Sequence, residues 1–536
     1  MSTLRRWFSA GVGAAAAAIL SAAAPPTRAA EPPGAPSARV FDLQTATIAD
    51  INAAFDAGAL TSERLVELYL ARIAAYDKQG PRINAVITLN PAALETARAL
   101  DAERRTTGPR SPLHGVPVVL KDLFDTADLP TTAGFLPMKT SQPIHDATIV
   151  KRLREAGAIV LAKVNMSDWF GVPKDGDQST VLGRTSNPYN LDLTPGGSSG
   201  GTGASLAAAF AQVGLGSETG VSIRNPTSNN SIVGLAPTRG LIPRAGQVMT
   251  SFTQERAGPM GRSVYDVAVL TDAVAGFDAE DLLTIVAPGN MPSASYTSFL
   301  DREGLRGARI GVFRDLFRQG PKHAEGIALI EQAIAQMKEA GAVIVDPVST
   351  GIDLFPLLED TRTNYYEAQF SYDLYFRRLG PDAVIHDVHE LIAKGGELVK
   401  PSIVRGVKEF DSLTHHPDFL ARRDTQETLK AAVIELMDKY RLDALVYPFK
   451  SLPPERHLDE NVREKDNPLS SVTGLPALLV PAGYTRAENG PIALEILGRP
   501  FSEPALFKLA YAYEQASHNR KTPPTTPSLP GERFEY

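Results

Sequence analysis

The sequence contains no cysteine in its 536 residues. This absence excludes thiol nucleophiles, cysteine-ligated zinc, iron–sulfur clusters and disulfides. It also has no basic run, and its formal net charge is −7 at pH 7. A nucleic-acid partner is therefore not expected, because proteins that bind nucleic acids usually present a basic face. With 43% hydrophobic and 21% charged residues, the composition is that of an ordinary globular protein.

The chain has few long hydrophobic runs outside its N-terminus. There, Arg5 and Arg6 precede an apolar, alanine-rich run at residues 10–24, and small residues follow it. This order is typical of a signal peptide, and the paired arginines favour the twin-arginine route. The run of about 15 residues is shorter than the roughly 20 that span a bilayer. We therefore predict a signal peptide at residues 1–30, a linker at 31–39 and an exported protein, periplasmic or secreted, without stable membrane insertion after cleavage.

Apolar strand patterns alternate with helical patterns along the rest of the chain. Three segments each predict a helix followed by a buried strand: "DATIVKRLREAGAIVLAKVN", "GASLAAAFAQVGLGSE" and "ALIEQAIAQMKEAGAVIVD". Further strands are predicted at "GVPVVLKD", "DALVYPF", "PALLVPAGY" and "IALEILGRP". This alternation favours an α/β fold in which helices cover both faces of a sheet. We predict one large domain at residues 40–523 and a C-terminal tail at 524–536.

The segment "TPGGSSGGTGAS", residues 194–205, is unusually rich in glycine and serine. A phosphate-binding loop is disfavoured, because no lysine follows the glycines and no strand precedes them. Gly196 to Gly200 also match the Gly-x-Ser-x-Gly nucleophile elbow of α/β-hydrolases. That elbow follows a strand directly, whereas Pro188 and Pro195 interrupt the approach here. Both interpretations therefore have little support.

A second small-residue cluster, "GLGSETGVSIRNP", follows one helix and one strand later and carries Ser222. Upstream, Lys121 stands at the end of an apolar strand pattern. Burial disfavours the charged form of a lysine and lowers its pKa, which is what a neutral amine base requires. The sequence thus offers two serines, Ser198 and Ser222, and one desolvated lysine, with no need for histidine.

Six segments, in this order, resemble the amidase signature family of serine hydrolases from about Val40 to Pro523. They are "SPLHGVPVVLKD", "AGAIVLAKVNMSDW", "SNPYN…TPGGSSGG", "GLGSETGVSIRNP…GLAPTRGLIPRAG", "ERAGPMGRSVYD" and "SVTGLPALLVPAG…GRPFSE". The resemblance implies a single large domain with a twisted mixed β-sheet. It implies that Ser222 is the nucleophile, Ser198 a bridging serine preceded by a cis peptide bond, and Lys121 the base. No metal and no cofactor are expected.

The same resemblance assigns roles to the residues around Ser222. It places the oxyanion hole on the backbone N–H groups of Thr219, Gly220, Val221 and Ser222. It assigns loop support to Ser199, Glu218 and Arg224, the last two as an ion pair. Val221 departs from the family, which has glycine before the nucleophile. A β-branched residue at positive φ would be strained, so a different local backbone is expected.

The predicted activity is hydrolysis of a carboxamide C–N bond to an acid plus ammonia or an amine, through an acyl-enzyme on Ser222. The expected partner is a small-molecule amide. An esterase or carbamate hydrolase is the nearest alternative, because the acyl step is shared. A tRNA-dependent amidotransferase subunit is less expected, since the predicted export and the missing basic run argue against it. Four aromatic residues could line the substrate pocket or belong to the core: Phe124, Phe135, Trp169 and Phe170.

Overall fold

The computed structural model describes residues 39–171, 178–410, 412–413, 416–457 and 467–536, without the side chain of Glu359. The predicted signal peptide, and all of the predicted linker except Arg39, lie outside the described residues. Residues Val40–Tyr536 form one compact unit.

Fifteen β-strands occur in the described residues. They are β1 (Val40–Asp42), β2 (Val86–Leu89), β3 (Pro117–Lys121), β4 (Ile159–Val164), β5 (Gln178–Ser179), β6 (Gly183–Arg184), β7 (Val213–Glu218), β8 (Val233–Ala236), β9 (Arg256–Gly261), β10 (Arg309–Phe313), β11 (Val343–Val348), β12 (Ala444–Pro448), β13 (Ala477–Tyr484), β14 (Pro491–Leu497) and β15 (Arg533–Glu535).

The same part of the chain contains fifteen α-helices. They are α1 (Ile48–Asp56), α2 (Ser62–Tyr76), α3 (Ala93–Thr107), α4 (Thr148–Glu155), α5 (Gly200–Ala207), α6 (Arg224–Asn229), α7 (Val264–Val274), α8 (Ala324–Glu339), α9 (Leu354–Asp360), α10 (Asn364–Arg378), α11 (Val388–Gly395), α12 (Pro401–Glu409), α13 (Pro417–Lys439), α14 (Leu469–Thr473) and α15 (Glu503–Ser517). None of these described helices combines the length and the apolar character that crossing a membrane requires.

An eleven-stranded sheet forms the centre, in the order β11-β10-β12-β14-β13-β8-β9-β7-β3-β4-β2. Strand β3 pairs in parallel with both β4 and β7, whereas β9 runs antiparallel to β7 and β8. The sheet is therefore mixed, which confirms the predicted α/β fold. Strands β3, β4 and β7 are buried along their whole length, as expected of strands covered on both faces.

The helices bury the faces that their apolar residues define. Helix α4 is amphipathic and buries Ile149, Val150 and Leu153. Apart from Leu206, helix α5 consists of small residues, and it is buried throughout. The small residues let it lie close to the sheet. Helix α2 begins where the sequence places a cap, because the Thr61 hydroxyl accepts a hydrogen bond of 3.1 Å from the backbone N–H of Arg64.

Both ends of the described chain meet in a two-stranded antiparallel sheet of β1 and β15. The rings of Phe41 and Phe534 stack there, with centroids 5.0 Å apart. The buried Arg72 of α2 forms an ion pair of 2.8 Å with Glu532 and also donates hydrogen bonds to the carbonyls of Thr526 and Pro527. Residues 524–536 thus pack within the same compact unit as the rest of the described domain.

The topology of the sheet determines where the predicted catalytic residues lie. Because β3 and β7 are parallel neighbours, their carboxyl ends lie at the same edge of the sheet. Lys121 is the last residue of β3, and the loop that carries Ser222 leaves β7 at that edge. The glycine-rich segment enters α5 beside them. All three predicted catalytic residues are therefore brought to one place.

Candidate active site

Lys121 is fully buried and hydrogen-bonded to two serine hydroxyls. Its Nζ lies 2.6 Å from Ser198 Oγ and 2.9 Å from Ser217 Oγ. It also lies 5.3 Å from the centre of the Trp169 ring. Burial lowers the pKa of the Lys121 ammonium to about 7, against the opposing effect of Glu255 and Glu218. A substantial fraction of this lysine is therefore neutral near pH 7 and able to accept a proton.

The backbone of the glycine-rich segment approaches its neighbours very closely. The Gly197–Ser198 peptide bond is cis. A Cβ on Gly201 would lie 2.2 Å from the carbonyl oxygen of Asn165, and Gly196 has a φ of +75°. These positions require glycine, because any side chain would collide or be strained there. The glycines therefore serve close backbone packing around Ser198.

Ser198 and Ser222 lie on two segments that a backbone hydrogen bond links. The N–H of Ser199 donates a hydrogen bond of 3.2 Å to the carbonyl oxygen of Ser222. The Ser199 hydroxyl bonds the carbonyl oxygen and the N–H of Ser217 at 3.2 Å each. Ser222 itself is half-buried, and within the described part of the chain its hydroxyl makes no hydrogen bond. The backbone of Ser222 is thus tied to the glycine-rich segment, while its hydroxyl is not bonded to another described residue.

The loop before Ser222 presents backbone donors. In the described residues, the N–H groups of Gly220, Val221 and Ser222 donate to no acceptor. Val221 does not occupy the left-handed region of φ. Its side chain instead packs against Phe449, Leu479 and Ala493. Valine is thus accommodated without backbone strain, and its N–H is kept as a donor.

A buried network of ion pairs between side chains stabilises this loop. Glu218 pairs with Arg224 at 3.0 Å and with Arg256 at 2.6 Å, and Arg224 also reaches Glu495 at 2.9 Å. One Glu218 oxygen accepts hydrogen bonds from the backbone N–H groups of Ile223 and Arg224, directly after Ser222. Burial alone would raise the pKa of Glu218, but the two arginines outweigh it and hold that pKa below its usual value.

Replacing Arg224 by methionine should destabilise the fold by about 3–5 kcal/mol, because it leaves Glu218 and Glu495 buried with too little positive charge. The free energy of unfolding, measured by urea denaturation, tests this. Arg98→Met is the matched control, since the ion pair of Arg98 with Glu63 is largely exposed and should contribute little. Equal unfolding midpoints for the two variants would contradict the bracing role of the network.

The four aromatic residues that the sequence left undecided divide into two groups. Phe124, Phe135 and Phe170 have no exposed surface and belong to the core. Trp169 is 8% exposed, and its indole Nε1 lies 3.4 Å from Ser198 Oγ. Trp169 is therefore the member of the group that lies beside Ser198 and Lys121.

Sequence reasoning did not single out two residues that the structure brings to the site, Ser217 and Glu255. Both stand inside quoted segments, "GLGSETGVSIRNP" and "ERAGPMGRSVYD". Ser217 bonds Lys121, and Glu255 accepts a hydrogen bond from the Thr219 hydroxyl. In the described part of the chain, no group of three or more histidine, aspartate or glutamate side chains is arranged to hold a metal ion.

Comparison with known proteins bears on this arrangement. A sequence model of the family described as amidase matches residues 64–507. The chain belongs to the amidase signature family. It is 36% identical to the native peptide amidase from Stenotrophomonas maltophilia, with a TM-score of 0.79 over 89% of this chain and 98% of that one.

Among curated relatives, the chain is 34% identical to a probable amidase of Arabidopsis thaliana, over 90% of this chain and 92% of the relative. It is 33% identical to a glutamyl-tRNA(Gln) amidotransferase subunit of Myxococcus xanthus, over 88% of this chain and 96% of the relative. These relatives thus include one named as a probable amidase and one named as an amidotransferase subunit.

Proposed function

We propose that this member of the family is an amidohydrolase that cleaves a carboxamide C–N bond and releases an acid plus ammonia or an amine. One observation carries the proposal. The buried Lys121 amine lies 2.6 Å from Ser198 Oγ. The residue after Ser198, Ser199, donates a backbone hydrogen bond to the carbonyl oxygen of Ser222. These two contacts support a relay in which Lys121 is the base, Ser198 the bridging hydroxyl and Ser222 the nucleophile.

In the proposed reaction, neutral Lys121 takes the proton of Ser198 while Ser198 takes the proton of Ser222. The Ser222 oxygen forms a bond to the carbonyl carbon and gives a tetrahedral intermediate. The protons then return through Ser198 to the leaving nitrogen as the C–N bond breaks. Water repeats the sequence on the acyl-enzyme, releases the acid and restores the Ser222 hydroxyl.

The developing oxyanion would be held by the N–H groups at Thr219, Gly220, Val221 and Ser222. Donors aimed at a developing negative charge typically contribute about 10²–10³ in kcat each. The Glu218 network supports this arrangement, because it fixes the two residues that follow Ser222. No metal or cofactor is required by the proposed steps.

A fluorophosphonate probe tests the nucleophile. Wild-type protein should be labelled on Ser222, as located by peptide mass spectrometry. A parallel screen of amides, anilides, esters and carbamates that share one acyl group then identifies the preferred bond. Preference for the ester or the carbamate would favour the esterase or carbamate hydrolase alternative, and absence of labelling would remove the hydrolase proposal.

The relationship to amidotransferase subunits makes a second candidate function testable. Such a subunit would act with partner proteins and tRNA, whereas a hydrolase turns over alone. Purified protein that hydrolyses amides without added partner or RNA supports the proposal. We further propose export through the N-terminal segment, which N-terminal sequencing of protein from the periplasm or the medium would test.

The activity should rise with pH through about 7. Lys121 has a lowered pKa of about 7, and only its neutral form can accept the proton of Ser198. Below that pH the lysine is charged and the relay is blocked; above it the base is free. A profile of kcat/KM against pH that stayed flat from about 5.5 to about 8.5 would show that Lys121 is not the base.

A further inference from the structure

Glu255 is a fully buried carboxyl group that the proposed relay does not use. It directly precedes β9, whose residue Arg256 pairs in register with Glu218 of β7. This register places Glu255 beside Thr219, the first residue of the loop that leads to Ser222. The Thr219 hydroxyl donates to Glu255 Oε2. The Gln247 side chain donates to Glu255 Oε1 at 3.1 Å.

Lys121 and Glu255 approach the same short segment at the β7 end. Lys121 Nζ bonds Ser217 Oγ at 2.9 Å, and Glu255 bonds the hydroxyl of Thr219, two residues further along. Both groups are fully buried. The amine and the carboxyl therefore bond the same short segment in the protein interior, at hydroxyl groups two residues apart.

Glu255 is also the carboxylate with the strongest electrostatic effect on Lys121, ahead of Glu218. Glu218 is already compensated by Arg224 and Arg256. Burial raises the pKa of the Glu255 carboxyl to about 7, although the Thr219 hydroxyl and Lys121 favour its ionised form. Two interacting groups that both titrate near neutral pH take up and release protons as a pair.

We propose that Glu255 is a positioning residue of the active site, which shares a proton with Lys121 and fixes the loop before Ser222 through Thr219. The proposal rests on the proposed function, in which Lys121 is the base. When Glu255 holds the proton, Lys121 is neutral and ready to accept one from Ser198. When Glu255 is ionised, it stabilises the charged lysine and delays activation.

The other charged and titratable groups around the pair do not replace this role. Around Lys121 stand Glu218, which is compensated, and the uncharged ring of Trp169. Around Glu255 stand Arg244, which favours ionisation, and the phenol of Tyr372, whose pKa is raised chiefly by burial. Among these groups, Glu255 and Lys121 are therefore the pair to which we assign a proton exchange near neutral pH.

The test is the pH dependence of Ser222 labelling by a fluorophosphonate in the variant Glu255→Gln. Glutamine keeps an acceptor for Thr219 but removes the charge that stabilises protonated Lys121. The acid limb of the labelling rate should therefore shift to lower pH by about half a unit or more. The acid limb of the profile of kcat/KM against pH should shift in the same direction. A folded, labelled variant whose acid limb stays at the wild-type pH would overturn the proposal.

Glu367→Gln is the matched control. Glu367 is another fully buried glutamate, bonded to Ser251 at 3.0 Å and to the backbone of Thr253 at 2.9 Å, and it is not among the charges that act on Lys121. Its replacement should leave the acid limb at the wild-type position. An equal shift in both variants would mean that any buried charge produces the effect, and would also overturn the specific role of Glu255.

A second measurement does not depend on activity or on the folding of Glu255→Gln. In protein with ¹³C-labelled glutamate carboxyls, the Glu255 resonance is assigned by its loss in Glu255→Asp. The variant Lys121→Met should raise the pH at which Glu255 ionises by about half a unit or more; an unmoved titration would overturn the pair. If wild-type Ser222 is never labelled, the proposed function fails, and this titration still decides whether the two groups share a proton.

Discussion

Replacement of Ser222 by alanine should reduce amide turnover by about four to six orders of magnitude, the range seen when the nucleophile of a serine hydrolase is removed. Without its oxygen no acyl-enzyme can form, and the donors of Gly220 and Val221 have no intermediate to stabilise. The fold should be unaffected, because the Ser222 hydroxyl makes no hydrogen bond within the described residues. Single-turnover hydrolysis and unfolding midpoints measured on the same preparation test both statements.

A matched serine variant makes this result specific. Ser205 belongs to the same glycine-rich segment as Ser198, and within the described structure its buried hydroxyl has no hydrogen-bond partner. Ser205→Ala should keep full activity and full labelling by the fluorophosphonate. If Ser222→Ala retained activity within about a hundredfold of wild type, or if Ser198 carried the label, the nucleophile would have to be assigned elsewhere.

Replacement of Lys121 by methionine should lower kcat/KM by about 10²–10⁴, the usual contribution of a general base. Methionine fills a similar volume in an apolar strand end and removes a buried amine, so folding should persist. The residual activity should also lose its rise through about pH 7, since the group that titrates there is gone. Rates at several pH values for wild type and variant give both the loss and the change of profile.

Lys163→Met is the contrasting variant. Lys163 is also fully buried, but it forms an ion pair of 3.1 Å with Asp122. Its loss should reduce the free energy of unfolding, because it leaves a buried carboxylate without its partner, while folded enzyme should keep the pH profile of wild type. The reverse pattern, with the profile lost in Lys163→Met and kept in Lys121→Met, would exchange the roles of the two lysines.

The local elements were predictable because their signals are local. The helix before Gly157 and the strand after it follow from periodicity and a glycine stop, and they appear as α4 and β4. The order of the strands has no such signal, since antiparallel β9 lies between β7 and β8. The placement of Glu255 depends on that pairing. The roles of Lys121, Ser198 and Ser222 followed from the family resemblance of the segments that contain them, and that resemblance assigned no role to Glu255.

The aromatic residues show a second limit of sequence reasoning. A buried core phenylalanine and a pocket-lining one have the same side chain and the same apolar neighbours in sequence. Phe170 proved to lie 4.8 Å from Tyr372 and 5.7 Å from Phe135, ring to ring. Trp169, the adjacent residue, borders Ser198. Only the long-range packing of α10 against this segment separates the two, and no pattern within the segment encodes it.

The contact of Arg72 with the last described residues has a consequence for how the chain acquires its structure during synthesis. Helix α2 buries the guanidinium group of Arg72, which donates to the carbonyl oxygen of Ala208. Its other partners, Thr526, Pro527 and Glu532, include its carboxylate partner and are made more than four hundred residues later. Until they leave the ribosome, α2 cannot dock without an uncompensated buried charge. We therefore expect α2 to dock only after the C-terminal residues have been synthesised. A polypeptide released early should stay open to proteases rather than accumulate as a partly active fragment.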